Sequence, residues 1–507
     1  MNKNRINNTK KNILSGIVNK IIVMIFPFII RTVILYHLSE EYLGLSSLFT
    51  SILQVLNIAE LGFSHAIVYN MYKPIADKNY DLVGAYLNYF KKIYLRVGLI
   101  IFGFGIVILP FLKFLISGTY PEEINLYILY ILYLIDSASS YLWFAYKGCL
   151  LNALQKVNIL TNIQSVIWIL KYSIQILIII LFKNYYLFVI VSIISTIVIN
   201  LMTSKYVDNN LPEYKNDIEL SSKKKEELKT QVKGVMLGRI SDVFRNSLDS
   251  IILSTFFGLT TVAIYNNYYY IFSAIYAIIL IITHAMQASV GNSIAKESVV
   301  KNYNDLKKFN FLFTYIICFC CICLISLFQP FMRIWVGRNL MFSDFNMILL
   351  CLYFFVLNIN NIRNLYFTGN GLWWDAKESF ILEAIGNLLL NILLGTIFGT
   401  VGIIIATIIT IFIFNYILRT NILFKKYFKI KPYEYYFKMF LYFCVIFILC
   451  SVSYVFCNKL LIIDGIIGLI VYLTISFFIS LFFIVIFSKT REYDDSKILI
   501  KKVLKKQ

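Results

Sequence analysis

The chain has 507 residues, of which 59% are hydrophobic and only 15% charged. An ordinary soluble domain carries about 25% charged residues, so this chain lacks the polar groups to cover a water-facing globule. It reads as a polytopic membrane protein with little room for a soluble catalytic domain. The formal charge of +20 would point to nucleic acid in a soluble protein; here it has to be read position by position.

In chain order, apolar runs lie near residues 13–37, 43–71, 84–116, 124–146, 157–181, 185–204, 234–257, 262–290, 309–332, 345–369, 379–395, 400–418, 439–456 and 465–487. A spanning helix needs about 20 apolar residues, so these runs predict about fourteen membrane helices. The longest should tilt or project beyond the hydrocarbon. The first run follows Asn4-Arg5 and Lys10-Lys11 and carries no small-residue cleavage site. An uncleaved helix is therefore expected rather than a signal peptide.

With the N-terminus placed in the cytoplasm, most of the 47 Lys and Arg fall in cytoplasmic segments, including Lys223-Lys224-Lys225, Lys425-Lys426, Lys501-Lys502 and Lys505-Lys506. The outward loops Ser39-Glu40-Glu41 and Pro121-Glu122-Glu123 are acidic. This asymmetry predicts cytoplasmic N- and C-termini. It also reads the basic runs as solvated loops beside anionic lipid, with no nucleic acid partner. The nine Cys lie almost wholly inside spans, where they pack as small apolar groups. No metal is expected at Cys318, Cys320, Cys321 and Cys323, which have no nearby His.

The chain is similar to itself. At an offset of 219 residues Lys20 falls on Arg239, Ser64-His65-Ala66 on Thr283-His284-Ala285, and Ile75-Ala76 on Ile294-Ala295. At an offset of 220, Pro110-Phe111-Leu112-Lys113 falls on Pro330-Phe331-Met332-Arg333. An even number of spans per repeat gives both copies the same orientation, the parallel type of transporter repeat. The expected fold is all-α, with two six-helix lobes in a pseudo-twofold repeat followed by two further helices. The N-terminal lobe is residues 1–204, a cytoplasmic linker 205–233, the C-terminal lobe 234–424, and the extra helices with a basic tail 425–507. Two facing lobes suit alternating access, since a small rocking motion opens their cleft to either side.

Besides Lys91, Lys92 and Lys113 of the third run, seven basic residues lie inside the runs: Lys20, Arg31, Arg96, Lys171, Arg239, Arg245 and Arg363. Each costs ~2.5–3.5 kcal/mol near a helix centre. Their sum exceeds the net stability of a typical domain, so most must snorkel, pair or face water. Lys20, Met24, Pro27 and Arg31 share one helical face, and no acid lies on it. Arg239, Asp242, Arg245 and Asp249 make a second stripe, open to two readings: a cavity wall or a self-neutralised ladder. Lys171 either lines a cavity or pairs with Asp136. Arg96 is close enough to Lys91-Lys92 to snorkel. Arg363 lies among Asn358, Asn360, Asn361 and Asn364, and Glu383, Asn387 and Asn391 recur every four residues. The embedded acids Glu60, Asp136, Asp242, Asp249 and Glu383 are candidates for carrying a coupling proton or sodium ion. No other cofactor is called for.

Arg31-Thr-Val-Ile-Leu35, Tyr42-Leu-Gly-Leu-Ser-Ser-Leu-Phe49, Glu60-Leu-Gly-Phe-Ser64 and Pro74-Ile-Ala76 resemble the bacterial polysaccharide repeat-unit flippases. These are part of the superfamily of multidrug, oligosaccharidyl-lipid and polysaccharide exporters. The resemblance extends over nearly the whole chain in span number, loop size and repeat. It implies a multi-pass protein of the bacterial inner membrane that moves undecaprenyl-pyrophosphate-linked oligosaccharide outward for capsule or O-antigen assembly. Polysaccharide polymerase and export proteins would be its partners. It also implies a cationic cavity, matched here by Lys20, Arg31, Arg239 and Arg245, with Lys171 and Arg363 as further substrate-binding candidates. The acids interleaved along 239–249 depart from that pattern.

A pyrophosphate crossing hydrocarbon needs a hydrated, positive passage, so the residues and the resemblance agree in chemistry. Within the same superfamily the rival readings are a drug or cation antiporter and a peptidoglycan-precursor flippase; unpaired basic residues favour an anionic ligand. A membrane glycosyltransferase or polymerase is disfavoured by the short outer loops. No Gly-rich phosphate loop ending in Lys-Ser/Thr is present, which disfavours a self-contained ATP-driven pump.

Overall fold

The computed structural model describes residues 3–60, 62–461 and 463–504. Among them every regular element is helical. The chain divides into two units, residues 1–263 and 264–507.

In the first unit, α1 (Lys3–His37) runs through Pro27 without interruption. It is followed by α2 (Glu40–Leu56), whose first turn holds Glu40 and Glu41, where the helix dipole favours negative charge. The run expected as one span at 43–71 is broken. After α2 the chain makes a 3₁₀ turn over Asn57–Glu60, Gly62 takes φ +100°, and α3 (Phe63–Ala76) begins. Next come α4 (Tyr80–Ile108), α5 (Leu126–Ser139), the short α6 (Gly148–Ala153), α7 (Val157–Phe182) and α8 (Tyr185–Asn210). Asn side chains cap the starts of α4, α5 and α8: Asn79 accepts from the Leu82 amide at 2.9 Å, and Asn184 from that of Leu187 at 3.1 Å. Asn125 accepts from the amides of Tyr127 and Ile128. Such caps satisfy donors that the helix itself leaves orphaned.

Beyond α8 the connecting segment is tied back onto α4. Asn88 donates to the carbonyls of Asn216 (2.7 Å) and Ile218 (3.2 Å), and Lys92 pairs with Glu219. The chain then enters α9 (Ser222–Lys296), 75 residues interrupted at Gly258, where φ is 80° and ψ 176°. The stretch around this break docks on the rest of the first unit: Ser117 donates its amide to the Ser254 carbonyl at 2.9 Å. Gly44 of α2 lies so close to α9 that a Cβ there would stand 2.3 Å from the Leu259 carbonyl oxygen.

The second unit continues with α10 (Val299–Trp335), α11 (Asp344–Asn358), α12 (Asn361–Gly369), α13 (Lys377–Phe398) and α14 (Thr400–Thr410). A π-helical segment, Ile411–Leu418, joins α14 to α15 (Arg419–Leu423), and a second one, Phe424–Phe428, follows. Then come α16 (Tyr433–Val455), α17 (Gly465–Ile486) and α18 (Arg491–Leu504). The internal repeat is visible in corresponding local devices. Ser298 caps α10 as Asn79 caps α4, and Ser343 caps α11 as Asn125 caps α5. Gly118 and Gly337 both take φ +80° in the matching connections, a conformation that costs glycine little.

Eleven helical segments among the described residues are long and apolar enough to cross a membrane, and the protein is a multi-pass membrane protein. The difference from fourteen has three local causes. The second run is split by its 3₁₀ turn, the fourth is the short helix α5, and the seventh and eighth follow one another across the break at Gly258, as their expected bounds have it, within the single apolar stretch Gly238–Lys296.

Because backbone rather than a flexible side chain faces Gly44, Gly44→Ala is expected to destabilise the detergent-solubilised protein by about 1–3 kcal/mol. Gly103→Ala, which meets open space, serves as control; equal melting temperatures for the two variants would contradict the packing described.

Candidate functional site

The first unit holds most of the charged candidates. On α1, Lys20 is exposed and Arg31 half-buried. Among the described residues no carboxylate lies within ion-pair distance of Lys20. Arg31 is within electrostatic reach of the Tyr185 hydroxyl. The helix packs along α7: Asn19 donates to Ser165 Oγ at 3.0 Å, and the Phe26 and Tyr172 rings stack at 5.4 Å. This contact fixes the rotation of α1 and so the direction of its basic face.

Lys171, beside Tyr172 on α7, comes within electrostatic reach of Asp136 on α5. Asp136 in turn accepts a hydrogen bond from Thr196 of α8 at 2.8 Å. The geometry thus favours the pairing reading of Lys171. Arg96 is exposed on α4.

The break in the second span gathers a polar row. Gln54, Asn57 and Glu60 follow three-residue spacing, and each meets a different element. Gln54 accepts from Ser247 of α9 at 3.1 Å, Asn57 from Ser137 of α5 at 3.1 Å, and Glu60 from Tyr94 of α4 at 3.2 Å. Arg239, exposed on α9, is within electrostatic reach of Glu60. Irregular backbone at membrane depth is tolerated where protein or a water-filled cavity surrounds it, and discontinuous spans form ligand and ion sites in transporters. Sequence reasoning picked out Glu60 and missed Gln54 and Asn57; the signal was their three-residue spacing ahead of Gly62.

Farther along α9 the stripe turns inward. Arg245 is buried and donates to Asp242 at 2.9 Å, and Asp249 is buried as well. The Arg245–Asp242 pair is one rung of the ladder reading. The stripe's repeat-related counterpart on α1 has no acid. His284 is exposed, and the side chain of His65 lies outside the described residues.

In the second unit, α13 presents Ser379, Glu383, Asn387 and Asn391 as one buried row. Glu383 pairs with Arg419, which also donates to Ser379 Oγ at 3.0 Å and lies 3.8 Å from the centre of the Phe380 ring. Asn387 donates to Thr407 at 3.0 Å. Arg363 has no exposed surface. It donates to Asn360 Oδ1 (2.7 Å), to the Asn415 carbonyl (3.0 Å) and to Asn415 Oδ1 (2.6 Å). Arg419 was missed from sequence because it lies one residue beyond the apolar run that ended at 418. Glu383 and Arg363 are thus enclosed within the second unit, Glu383 paired with Arg419 and Arg363 held through its two terminal nitrogens while its buried Nε has no hydrogen-bond partner among the described residues, whereas Lys20 and Arg239 keep accessible charge.

No protein-family model matches the sequence, and no curated protein matches it significantly. Solved structures do match the fold. Against lipid II flippase MurJ in an inward closed conformation the TM-score is 0.65 at 16% identity, over 95% of this chain and 99% of that one. An inward-facing multidrug resistance MATE family transporter of the MOP superfamily gives 0.61 at 15% identity, over 81% and 99%. A Vibrio cholerae MATE transporter, VcmN in its bent form, gives 0.51 at 12% identity, over 83% and 97%. The chain therefore has the fold of the MOP-superfamily transporters. These neighbours are flippases and transporters rather than enzymes.

Removing one partner of a buried ion pair strands the other charge at a cost of about 3–5 kcal/mol. Glu383→Met and Arg419→Met are each expected to lower thermal stability by that order, while the double variant regains most of the loss. Additive losses would show that the two side chains do not act as a pair.

Proposed function

We propose that the protein is a flippase that carries polyprenyl-pyrophosphate-linked oligosaccharide across the inner membrane by alternating access, for assembly of a cell-surface polysaccharide. The observation that carries this reading is the charge of α1: Lys20 and Arg31 share one face of a membrane helix that contains no acidic residue, and Lys20 is exposed. A cation kept accessible at that depth costs energy, and an anionic headgroup offsets that cost whenever it occupies the passage. Lys20, Arg31 and Arg239 make the primary contacts in this proposal. Arg245 acts through its pairing with Asp242, Lys171 through Asp136, and Arg363 by shaping the second unit.

Affinity has to be moderate, because a clamp that binds too tightly does not release. Glu60, Asp136, Asp242, Asp249 and Glu383 are the proposed carriers of a coupling proton or sodium ion. Glu60 leads among them, since it sits on the broken span and faces Arg239: neutralising it would free that cation for the headgroup. Polymerase and export proteins are the proposed partners, with both termini in the cytoplasm.

A lipid II flippase is the second reading, favoured by the likeness to MurJ; its cargo would offer the same anionic chemistry to α1. A multidrug antiporter is the third, favoured by the likeness to MATE transporters, and the cationic face of α1 argues against a cationic cargo.

In a strain lacking the chromosomal copy, Arg31→Ala and the double variant Lys20→Ala/Arg31→Ala are expected to abolish surface polysaccharide at normal protein level. Lys20→Arg should retain it. Normal polysaccharide in the double variant removes α1 from the mechanism. Failure of cell-wall synthesis with unchanged polysaccharide selects the second reading, and drug sensitivity alone the third.

A further inference from the structure

Helix α11, the π-helical segment Ile411–Leu418 and helix α16 leave between them a crevice of about 520 Å3. Its walls include Leu352, Val356, Ile408, Phe412, Met439 and Phe443. Tyr416 and Tyr436 border its polar end, where the Tyr436 hydroxyl donates to the Ile417 carbonyl or to Asn421 Oδ1. The volume is within the ~300–1,000 Å3 of small-molecule sites. It is far larger than the gaps of a close-packed interior.

The crevice has a structural cause. The π-helical turn is wider than an α-helical one, and such turns cluster at functional sites. This one is held by Arg363, whose buried guanidinium occupies both the carbonyl and the side-chain oxygen of Asn415. The widened turn carries the Phe412, Tyr416 and Ile417 side that faces α11 and α16. The crevice opens sideways, for its wall residues Phe412 and Phe440 are 43% and 60% exposed.

Charge lies at the polar end. The turn Lys429-Ile430-Lys431-Pro432 leads directly into α16, whose first turn carries Tyr436. Lys425, Lys429 and Lys431 are exposed, and the Lys431 ammonium stands 5.7 Å from the Tyr433 ring centre. The other charges of this end are engaged: Lys426 pairs with Asp375 at 2.9 Å, and Glu434 with Lys307 at 3.1 Å.

We propose that this crevice binds a resident anionic phospholipid of the membrane, one acyl chain lying in the cleft and the phosphate meeting Lys429 and Lys431. Bilayer hydrocarbon is as apolar as the wall, so no hydrophobic gain selects the chain. Filling the void restores dispersion contacts that an empty cleft forfeits, and the lysines select the headgroup, as basic pockets between membrane helices do. The site shares no residue with the α1 face and does not depend on the cargo proposed above.

The test uses the full chain in nanodiscs with photoactivatable phosphatidylglycerol or phosphatidylcholine, each bearing a diazirine near the end of one acyl chain. Labelled peptides are identified by mass spectrometry. Labelling is expected in 352–359 and 408–417, stronger for phosphatidylglycerol by at least about fivefold, as one surface lysine contributes. Val356→Trp, which fills the cleft, should remove this labelling. Val356→Phe is read in its place if the larger residue prevents folding, as judged by melting temperature and elution. Lys429→Glu/Lys431→Glu should abolish the preference for phosphatidylglycerol. The proposal is overturned by labelling that the filling variants leave unchanged, or by equal labelling from both lipids. Displacement of the probe by a polyprenyl phosphate more readily than by phosphatidylglycerol overturns it too, since the cleft would then belong to a cargo tail.

Discussion

An ionised side chain in hydrocarbon has to be paired, solvated or carried to the interface, and this constraint sorts nearly every charge in the structure. Arg245 settles on Asp242, Arg419 on Glu383, and Arg363 on the oxygens of Asn360 and Asn415. Each arrangement sets terminal guanidinium nitrogens against fixed oxygens, which suits a planar, always-charged group better than it would suit an ammonium. What is left over after this sorting is small. Lys20 is accessible on a helix without acids, and Arg239 faces Glu60 across a broken span.

The sorting also divides labour between the two units. In the second, the row on α13 and the guanidinium on Asn415 fix the rotation of α12 to α15 and hold a π-helical turn open. Cations there act on protein. In the first, the break at Asn57–Glu60 gathers α4, α5 and α9 around polar side chains, whereas the 259–296 stretch of α9 stays helical.

Much of this was legible before the structure. Hydropathy located the membrane segments, because helix length and bilayer thickness are tied together. The offset of 219 residues found in the sequence is also the spacing at which the structure repeats the caps Asn79 and Ser298 and the turn glycines Gly118 and Gly337. Lys171 and Asp136 were paired as an alternative from sequence and are within electrostatic reach. What was not legible depends on contacts distant in sequence. A window average cannot see a single 3₁₀ turn at Asn57–Glu60 inside an apolar run. The partner of Glu383 was hidden for a similar reason: Arg419 sits where the apolar run stops, and only the packing of α13 against α14 and α15 carries it inward.

The account rests on a positive α1 face that accompanies a phosphate headgroup between leaflets. The most direct measurement is the leaflet distribution of polyprenyl-pyrophosphate-linked oligosaccharide in cells depleted of the protein, probed from outside with a sugar-modifying reagent that does not cross the membrane. The account predicts that the units accumulate in the inner leaflet, protected from the reagent, and become accessible when the wild-type chain is restored. An unchanged distribution after depletion would contradict it.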